Sequence, residues 1–474
     1  MKIIEHIYID GAFVEPHGRD LFDLHNPATG QVIGQVRLGD ADDARRAIDA
    51  AKRAFPAMAR TTKVERLEML HALHAAMLTG VEELHEAVLE EYGAPISRSR
   101  WMADYAPACF EAAAKTLEDF PLTRHIGSAE VVMAPVGVVG LITPWNSNAG
   151  FICNKLAHAI AAGCTAVIKP SEMSALQTEV VLRALHKAGL PAGVYNVVNG
   201  RGDTVGAEIT ASPDVAKISF TGSTAVGKAI VRAGADTLKR VTLELGGKSP
   251  SIVLDDADLD AVVPGVIEAG YMNSGQACIA GTRVLISEKR RAEFEAKLKA
   301  AVENQVKAGD PRDPATTVGP MVSQTQWDRV QGYLRLGAEE GATILVGGEG
   351  KPEGLSGYFV RPTVFTGVAN DMRIAREEIF GPVMCVIPYA DEDEAVSIAN
   401  DTTYGLSAYV FGEQAHATRI AARLDSGRVV INGAAHEPLA PFGGVKQSGL
   451  GRENGAFGLE AYLEPKTVLG ARAE

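Results

Sequence analysis

From Gly137 onward the chain alternates short apolar runs with helical stretches, and this alternation limits the fold more than any other feature. Val138-Val139-Gly140-Leu141-Ile142 reads as a buried strand, followed by a helix from about Asn148 to Ala162. Ala166-Val167-Ile168 is the next strand, and about Ser174 to Ala188 the next helix. Val194 to Val198, Lys217 to Phe220 and Val241 to Glu244 supply further strands, with helices between them. Repeated βαβ units of this length demand a parallel sheet, because a parallel return needs a crossover helix. A second alternation starts at Ser251-Ile252-Val253-Leu254 and runs to about Asn432, which predicts a second α/β domain. Such sheets bind ligands beyond the carboxyl ends of their strands, so the residues after each strand are the candidates for function.

The flanking segments differ. Tyr8 to Val36 alternates apolar runs with turn residues and predicts strands or extended wrapping segments. Asp40 to about Leu122 is helical, with Ala44, Ile48, Ala51 and Phe55 on one face. Glu130-Val131-Val132-Met133 is a strand. A chain of 474 residues has room for two or three domains. Its formal net charge of -13 argues against nucleic acid and anionic membranes as partners. The five cysteines, Cys109, Cys153, Cys164, Cys278 and Cys385, are scattered without a CxxC pair. They form neither a disulfide framework nor a zinc spacing, so no metal is expected and a reducing compartment is. With no secretory pattern in MKIIEHIYIDG and no apolar run near about 18 residues, the expectation is a soluble, cytoplasmic protein.

Several post-strand segments carry chemistry. Asn273-Ser274-Gly275-Gln276-Ala277-Cys278 puts a thiol after small and polar residues at the end of a predicted helix. That setting suits a nucleophile, because a reactive thiol needs nearby N–H donors and an open approach; a buried core filler, the commoner role of a free cysteine, is the alternative. Phe220-Thr221-Gly222-Ser223 follows a strand and opens a helix, where backbone N–H groups favour a pyrophosphate; a tight turn is the alternative. Gly200-Arg201-Gly202 is a second glycine loop of the same kind. Lys169-Pro170-Ser171-Glu172 puts a lysine and an acid where a ribose would lie, or a first-turn acid on a helix dipole. Glu244, before Leu245-Gly246-Gly247, is a general base if burial raises its pKa, or else a surface carboxylate. Asn146, after Thr143-Pro144-Trp145, is an oxyanion donor or a helix cap.

Taken in order, PWN at 144–146, KPSE at 169–172, FTGS at 220–223 and ELGGKSP at 244–250 resemble the aldehyde dehydrogenase superfamily. GQxC at 275–278, EEIFGPV at 377–383 and PFGGVKQSGLGRENG at 441–455 continue the resemblance over nearly the whole chain. It implies an α/β fold with a Rossmann-like cofactor domain (1–117 and 136–246) and an α/β catalytic domain (247–448). A small β oligomerisation arm and C-terminal tail (118–135 and 449–474) would make homodimers or homotetramers. It also implies an enzyme in which Cys278 attacks a small-molecule aldehyde, and Asn146 and the Cys278 N–H hold the oxyanion. Glu244 activates the water that hydrolyses the thioester. Ser223 and Gly222 would face the pyrophosphate, Lys169 and Glu172 the adenosine ribose, and Glu378 and Phe380 the nicotinamide riboside. The implied cofactor site extends to Ile142, Thr143, Trp145, Ser171, Gly202, Phe220, Thr221, Val226, Leu245 and Gly246. NAD is expected over NADP, because Glu172 would repel a 2′-phosphate by on the order of a few kcal/mol at about 4 Å.

One departure bears on the substrate. After PWN the family commonly places an aromatic residue and a proline, whereas this chain has Ser147-Asn148-Ala149-Gly150-Phe151, with Asn154 a turn further on. The expectation is a wider, more polar tunnel, walled by Ala277 and Ile279 beside the sulfur, for a bulky or polar-tailed aldehyde. A coenzyme A-acylating or semialdehyde-specific dehydrogenase, a cofactor-free thiol esterase and an inactive structural relative are the alternatives. Glu244 argues against acylation of coenzyme A, since a water-activating base would waste the thioester.

Overall fold

The computed structural model describes residues 2–470; Met1 and residues 471–474, the end of the expected C-terminal tail, lie outside the described residues. The first sheet is built on five parallel strands: β1 (Val138–Ile142), β2 (Thr165–Lys169), β3 (Tyr195–Val197), β4 (Val215–Thr221) and β5 (Arg240–Glu244). Their order is β5-β4-β1-β2-β3. The chain therefore works outward from β1 to β3, then crosses back to lay β4 on the other side of β1. That reversal opens a crevice at the strands' carboxyl ends, between the loops after β1 and β4. Every residue of β1 and β2 is buried, as expected for strands with helices on both faces.

Helix α1 (Asn148–Ala162) matches the sequence expectation residue for residue and stops at Gly163, whose φ of 84° only glycine adopts readily. α2 (Ala175–Lys187) and α3 (Thr224–Gly234) follow β2 and β4. The N-terminal hairpin of Ile7–Ile9 and Ala12–Val14 extends the sheet antiparallel beside β3.

The second sheet also has a parallel body: β6 (Pro250–Val253), β7 (Arg283–Ser287), β8 (Thr363–Thr366), β9 (Val383–Tyr389), β10 (Ser407–Phe411) and β11 (Arg428–Ile431). Their order is β8-β9-β7-β6-β10-β11, and Thr343–Val346 adds an antiparallel edge next to β8. α4 (Leu259–Tyr271) connects β6 toward β7.

The arm is a three-stranded antiparallel sheet of Thr123–Ile126, Ala129–Pro135 and Leu463–Leu469. Its strands lie within the segments 118–135 and 449–474 expected for the arm and C-terminal tail and do not fill them. Residues 118 and 119 finish the helix Ile96–Asp119, and Gly449–Leu450 pairs antiparallel with β5 in the first sheet. Leu459 and Tyr462 pack into the core around α1 instead of the arm. Among the described residues, no helix is long and apolar enough to cross a membrane.

Candidate active site

The thiol does not sit at a helix end. α4 stops at Tyr271, a kinked, non-helical turn spans Met272–Gly275, and Cys278 lies in the loop beyond. Asn273, Ser274 and Gly275 all have left-handed backbone, with φ of 54°, 58° and 73°. Each such non-glycine residue costs on the order of 1–3 kcal/mol and persists only where its surroundings impose it. At Gly275 a side chain would run into the Gly381 carbonyl, so glycine is obligatory there.

The surroundings are explicit. Asn273 Nδ2 donates to the carbonyls of Asn146 and Gln276, both at 3.1 Å. Asn146 Nδ2 donates to the same Gln276 carbonyl at 3.0 Å, which seats its amide beside the thiol loop. Gln276 Oε1 accepts from the Val322 N–H at 2.9 Å, and the Tyr409 hydroxyl donates to the Ile279 carbonyl at 2.9 Å. Gly247 lies against the Cys278 carbonyl too closely for any side chain. Within this frame Ala277, Cys278 and Ile279 are only half-buried, an opening on to the sulfur. Burial, then the charges of Glu378 and Glu244, push the Cys278 thiol up to about 12.

Glu244 ends β5 and is 1% exposed, yet neither carboxyl oxygen has a hydrogen-bond partner. Gly443 makes room for it, since a Cβ there would lie 2.5 Å from Oε1. Burial, with help from the Glu453 charge, raises the Glu244 carboxyl well above the usual range, while Lys155 and Arg452 oppose. Glu453 is equally buried but fully engaged. It accepts from Lys155 Nζ and from Ser219 Oγ at 3.1 Å, and lies 3.5 Å from Asn154 Nδ2. Burial works to raise its pKa, and Lys155 overcomes this and holds it below the ordinary value.

The remaining candidates line the carboxyl edge of the first sheet. Register pairs Ile142 with Lys169 and Phe220, and Thr221 with Glu244. Lys169 Nζ bonds Glu172 Oε2 at 2.9 Å, and Ser171 caps the turn that carries Glu172. Thr143 N–H donates to the Lys169 carbonyl at 3.0 Å. The Thr221 hydroxyl is buried without a partner. Gly222 has no room for a side chain over the Phe220 ring, and Ser223 caps α3, whose exposed first turn holds Val226. Leu245 packs on α3 at Gly227. Glu378 Oε1 accepts from the Gly247 N–H at 3.0 Å and covers Gly246, and burial raises its pKa to about 7. Trp145 meets Phe380 edge-on, with ring centroids 5.4 Å apart. Gly202 opens a helical turn after β3, with free space around it.

The tunnel expectation needs correction. Space at Gly150 is taken by Tyr105, whose ring carbon would lie 2.8 Å from a Cβ there. Asn154 is 8% exposed and faces Glu453. That wall is therefore filled by an aromatic ring from a distant helix. Sequence reasoning also assigned no role to Lys155, Ser219, Glu453 or Tyr409. A single charged lysine in the mostly apolar helix Asn148–Ala162 is the available signal for the first.

Two parallel-sheet domains, with a thiol loop carried on one and the expected cofactor edge on the other, define the class of architecture. The profile of the Aldehyde dehydrogenase family matches residues 13–468, and the chain belongs to that family. It is 45% identical over 475 residues to a 3-succinoylsemialdehyde-pyridine dehydrogenase of Pseudomonas sp, covering 99% of each chain. Aldehyde dehydrogenase C from Pseudomonas syringae, a cysteine-to-alanine mutant crystallised with NAD+ and octanal, matches with a TM-score of 0.97 at 43% identity, covering 99% of this chain and 98% of that one. A Mycobacterium tuberculosis aldehyde dehydrogenase complexed with NAD+ matches with a TM-score of 0.95 at 37% identity, covering 100% of both.

Proposed function

We propose that the protein oxidises an aldehyde to its carboxylate with NAD through a covalent bond to Cys278, and that Glu244 is the base that hydrolyses the product. The observation that carries this is the buried Glu244 carboxyl, unpartnered at both oxygens and close enough for its charge to act on the Cys278 thiol. A carboxyl held in that way takes a proton from a water more readily than an ordinary carboxylate does.

The deprotonated Cys278 sulfur attacks the aldehyde carbon to give a thiohemiacetal. The Asn146 amide and the Cys278 N–H receive the developing oxyanion, an interaction typically contributing about 3–4 kcal/mol. Loss of hydride leaves a thioester on Cys278. Glu244 takes a proton from water, the water oxygen attacks the thioester carbon, and the carboxylate departs as the thiol is restored.

The first sheet's carboxyl edge fits NAD, which when bound supplies the hydride acceptor. The unpartnered Thr221 hydroxyl and the crowded Gly222 beside the α3 amino end suit a pyrophosphate. Glu172 suits free ribose hydroxyls and disfavours a 2′-phosphate, with Lys169 softening that preference. Together with Ile142, Thr143, Trp145, Ser171, Gly202, Phe220, Ser223, Val226, Leu245, Gly246, Glu378 and Phe380, these residues form the cofactor side. The Ala277–Ile279 opening and the exposed 433–438 loop favour a bulky or polar-tailed aldehyde. The arm, with Ile126 and Leu469 exposed, favours a homodimer or a pair of dimers.

The test is NADH absorbance with an aldehyde panel in the absence of coenzyme A. Turnover is expected, and Cys278→Ala is expected to abolish it. Dependence on coenzyme A would overturn the hydrolytic reading.

A further inference from the structure

Arg428, on a strand close to the loop that carries the sulfur, has no acid paired with it among the described residues. Arg428 opens β11, and its register partner is Ser407 on β10. Its Nε donates to Ser407 Oγ at 3.2 Å. Ser407 and Tyr409 lie on one face of β10, since alternate residues of a strand share a face. Tyr409 is the residue whose hydroxyl holds the Ile279 carbonyl, one residue past the nucleophile. Along β11, Val430 packs into the same core as Tyr409, whereas Val429 and Ile431 pack on the opposite side of the sheet. Arg428 therefore lies on the face that carries the thiol loop.

A second arginine in the same domain provides the contrast. Arg283 is fully buried and makes four hydrogen bonds: its guanidinium donates to the carbonyls of Lys248, Ile398 and Ala399 and to Asn370 Oδ1, at 2.8 to 3.0 Å. That is a structural arginine. Arg428 is half-buried, and among the described residues no carboxylate lies within ion-pair distance of it. Its charge reaches the Cys278 thiol, where it favours ionisation, and His436 in the exposed loop after β11. A guanidinium that borders the nucleophile on one side and the open 433–438 loop on the other, with donors left over, is built to receive an anion.

We propose that Arg428 recognises the far end of the substrate and that this end is a carboxylate, making the preferred substrates ω-oxo carboxylic acids. The planar fork of the guanidinium matches two carboxylate oxygens, and the aldehyde at the other end of the chain reaches Cys278. This deepens the dehydrogenase reading above and rests on it. Arg428 acts here on substrate choice and forms no bond to the reacting carbon.

The test compares kcat/KM for ω-oxo acids of increasing chain length with that for n-alkanals of matched length, using wild type, Arg428→Gln and Arg428→Lys. Wild type is expected to favour the oxo acids at one chain length. Arg428→Gln is expected to reduce the oxo-acid to alkanal ratio by about 10- to 100-fold, the range for a charged hydrogen bond, mostly through KM, with partial recovery in Arg428→Lys. An unchanged ratio in Arg428→Gln, or a wild type indifferent to the carboxylate while turning over alkanals, overturns the proposal and leaves the dehydrogenase reading standing. Absence of turnover with every aldehyde overturns both.

Discussion

Two glutamates near the centre of the molecule are buried to the same degree and held in opposite ways. Glu453 is enclosed by Lys155, Ser219 and Asn154, and its pKa falls. Glu244 has no hydrogen-bond partner at either oxygen, and its pKa rises. Burial raises both, and partners decide the outcome. A carboxylate paired with a lysine and bonded at both oxygens is held as an anion, while one without partners is available to a water. The ion pair and hydrogen bonds at Glu453, and their absence at Glu244, set the two buried acids apart.

The largest test of this contrast is Glu244→Gln. We expect thioester hydrolysis to fall by about 10²- to 10⁴-fold, the usual contribution of a general base, while an initial burst of NADH survives. Burst kinetics followed by slow turnover is the signature. Loss of the burst along with turnover would mean that Glu244 serves the attack step instead.

Glu453→Gln should act on stability first. It leaves Lys155 charged and buried without its acid, at a cost of about 3–5 kcal/mol, read as a lower denaturation midpoint. An equal loss of turnover with no change in that midpoint would erase the distinction between the two residues.

The smallest effect is in the pH dependence of stability. A carboxyl whose folded pKa is raised, like Glu244, favours the folded state fully below the ordinary glutamate pKa. That advantage is lost as pH rises from there through the raised value. A carboxyl whose folded pKa is lowered, like Glu453, gives stability that is present above the ordinary value and lost as pH falls through the lowered one. Glu244→Gln should therefore flatten the fall in stability that begins above the ordinary glutamate pKa, by up to about 1.4 kcal/mol per pH unit, and Glu453→Gln the fall below it. Denaturant titrations across pH measure both slopes, and identical curves for the two variants would refute the opposite signs.

The sequence pattern was sufficient for α1, for the strands of the first sheet and for the placement of Lys169, Thr221 and Glu244 at one edge. Those follow from local periodicity and from the rule that parallel strands share a carboxyl end. The environment of Glu244 was not legible. Lys155, Ser219 and Glu453 meet only because α1, β4 and the segment after β5's partner strand Gly449–Leu450 pack together. No spacing along the chain encodes that meeting. The thiol loop was misread for a related reason. Asn273 and Ser274 carry no intrinsic demand for left-handed backbone, and Asn146, Gly381 and Val322 impose it from elsewhere. Tyr105 likewise fills the room at Gly150 from a helix far away in sequence.

The turn at Asn273–Gly275 has a consequence for engineering. It fixes the sulfur through backbone and through Asn273, Asn146 and Gln276, and asks nothing of the side chains of Ala277 and Ile279. Those two flanks are thus separable parts. Enlarging or shrinking them should leave the Cys278 sulfur in place, so a library confined to positions 277 and 279 tests whether those flanks set the aldehyde range proposed above.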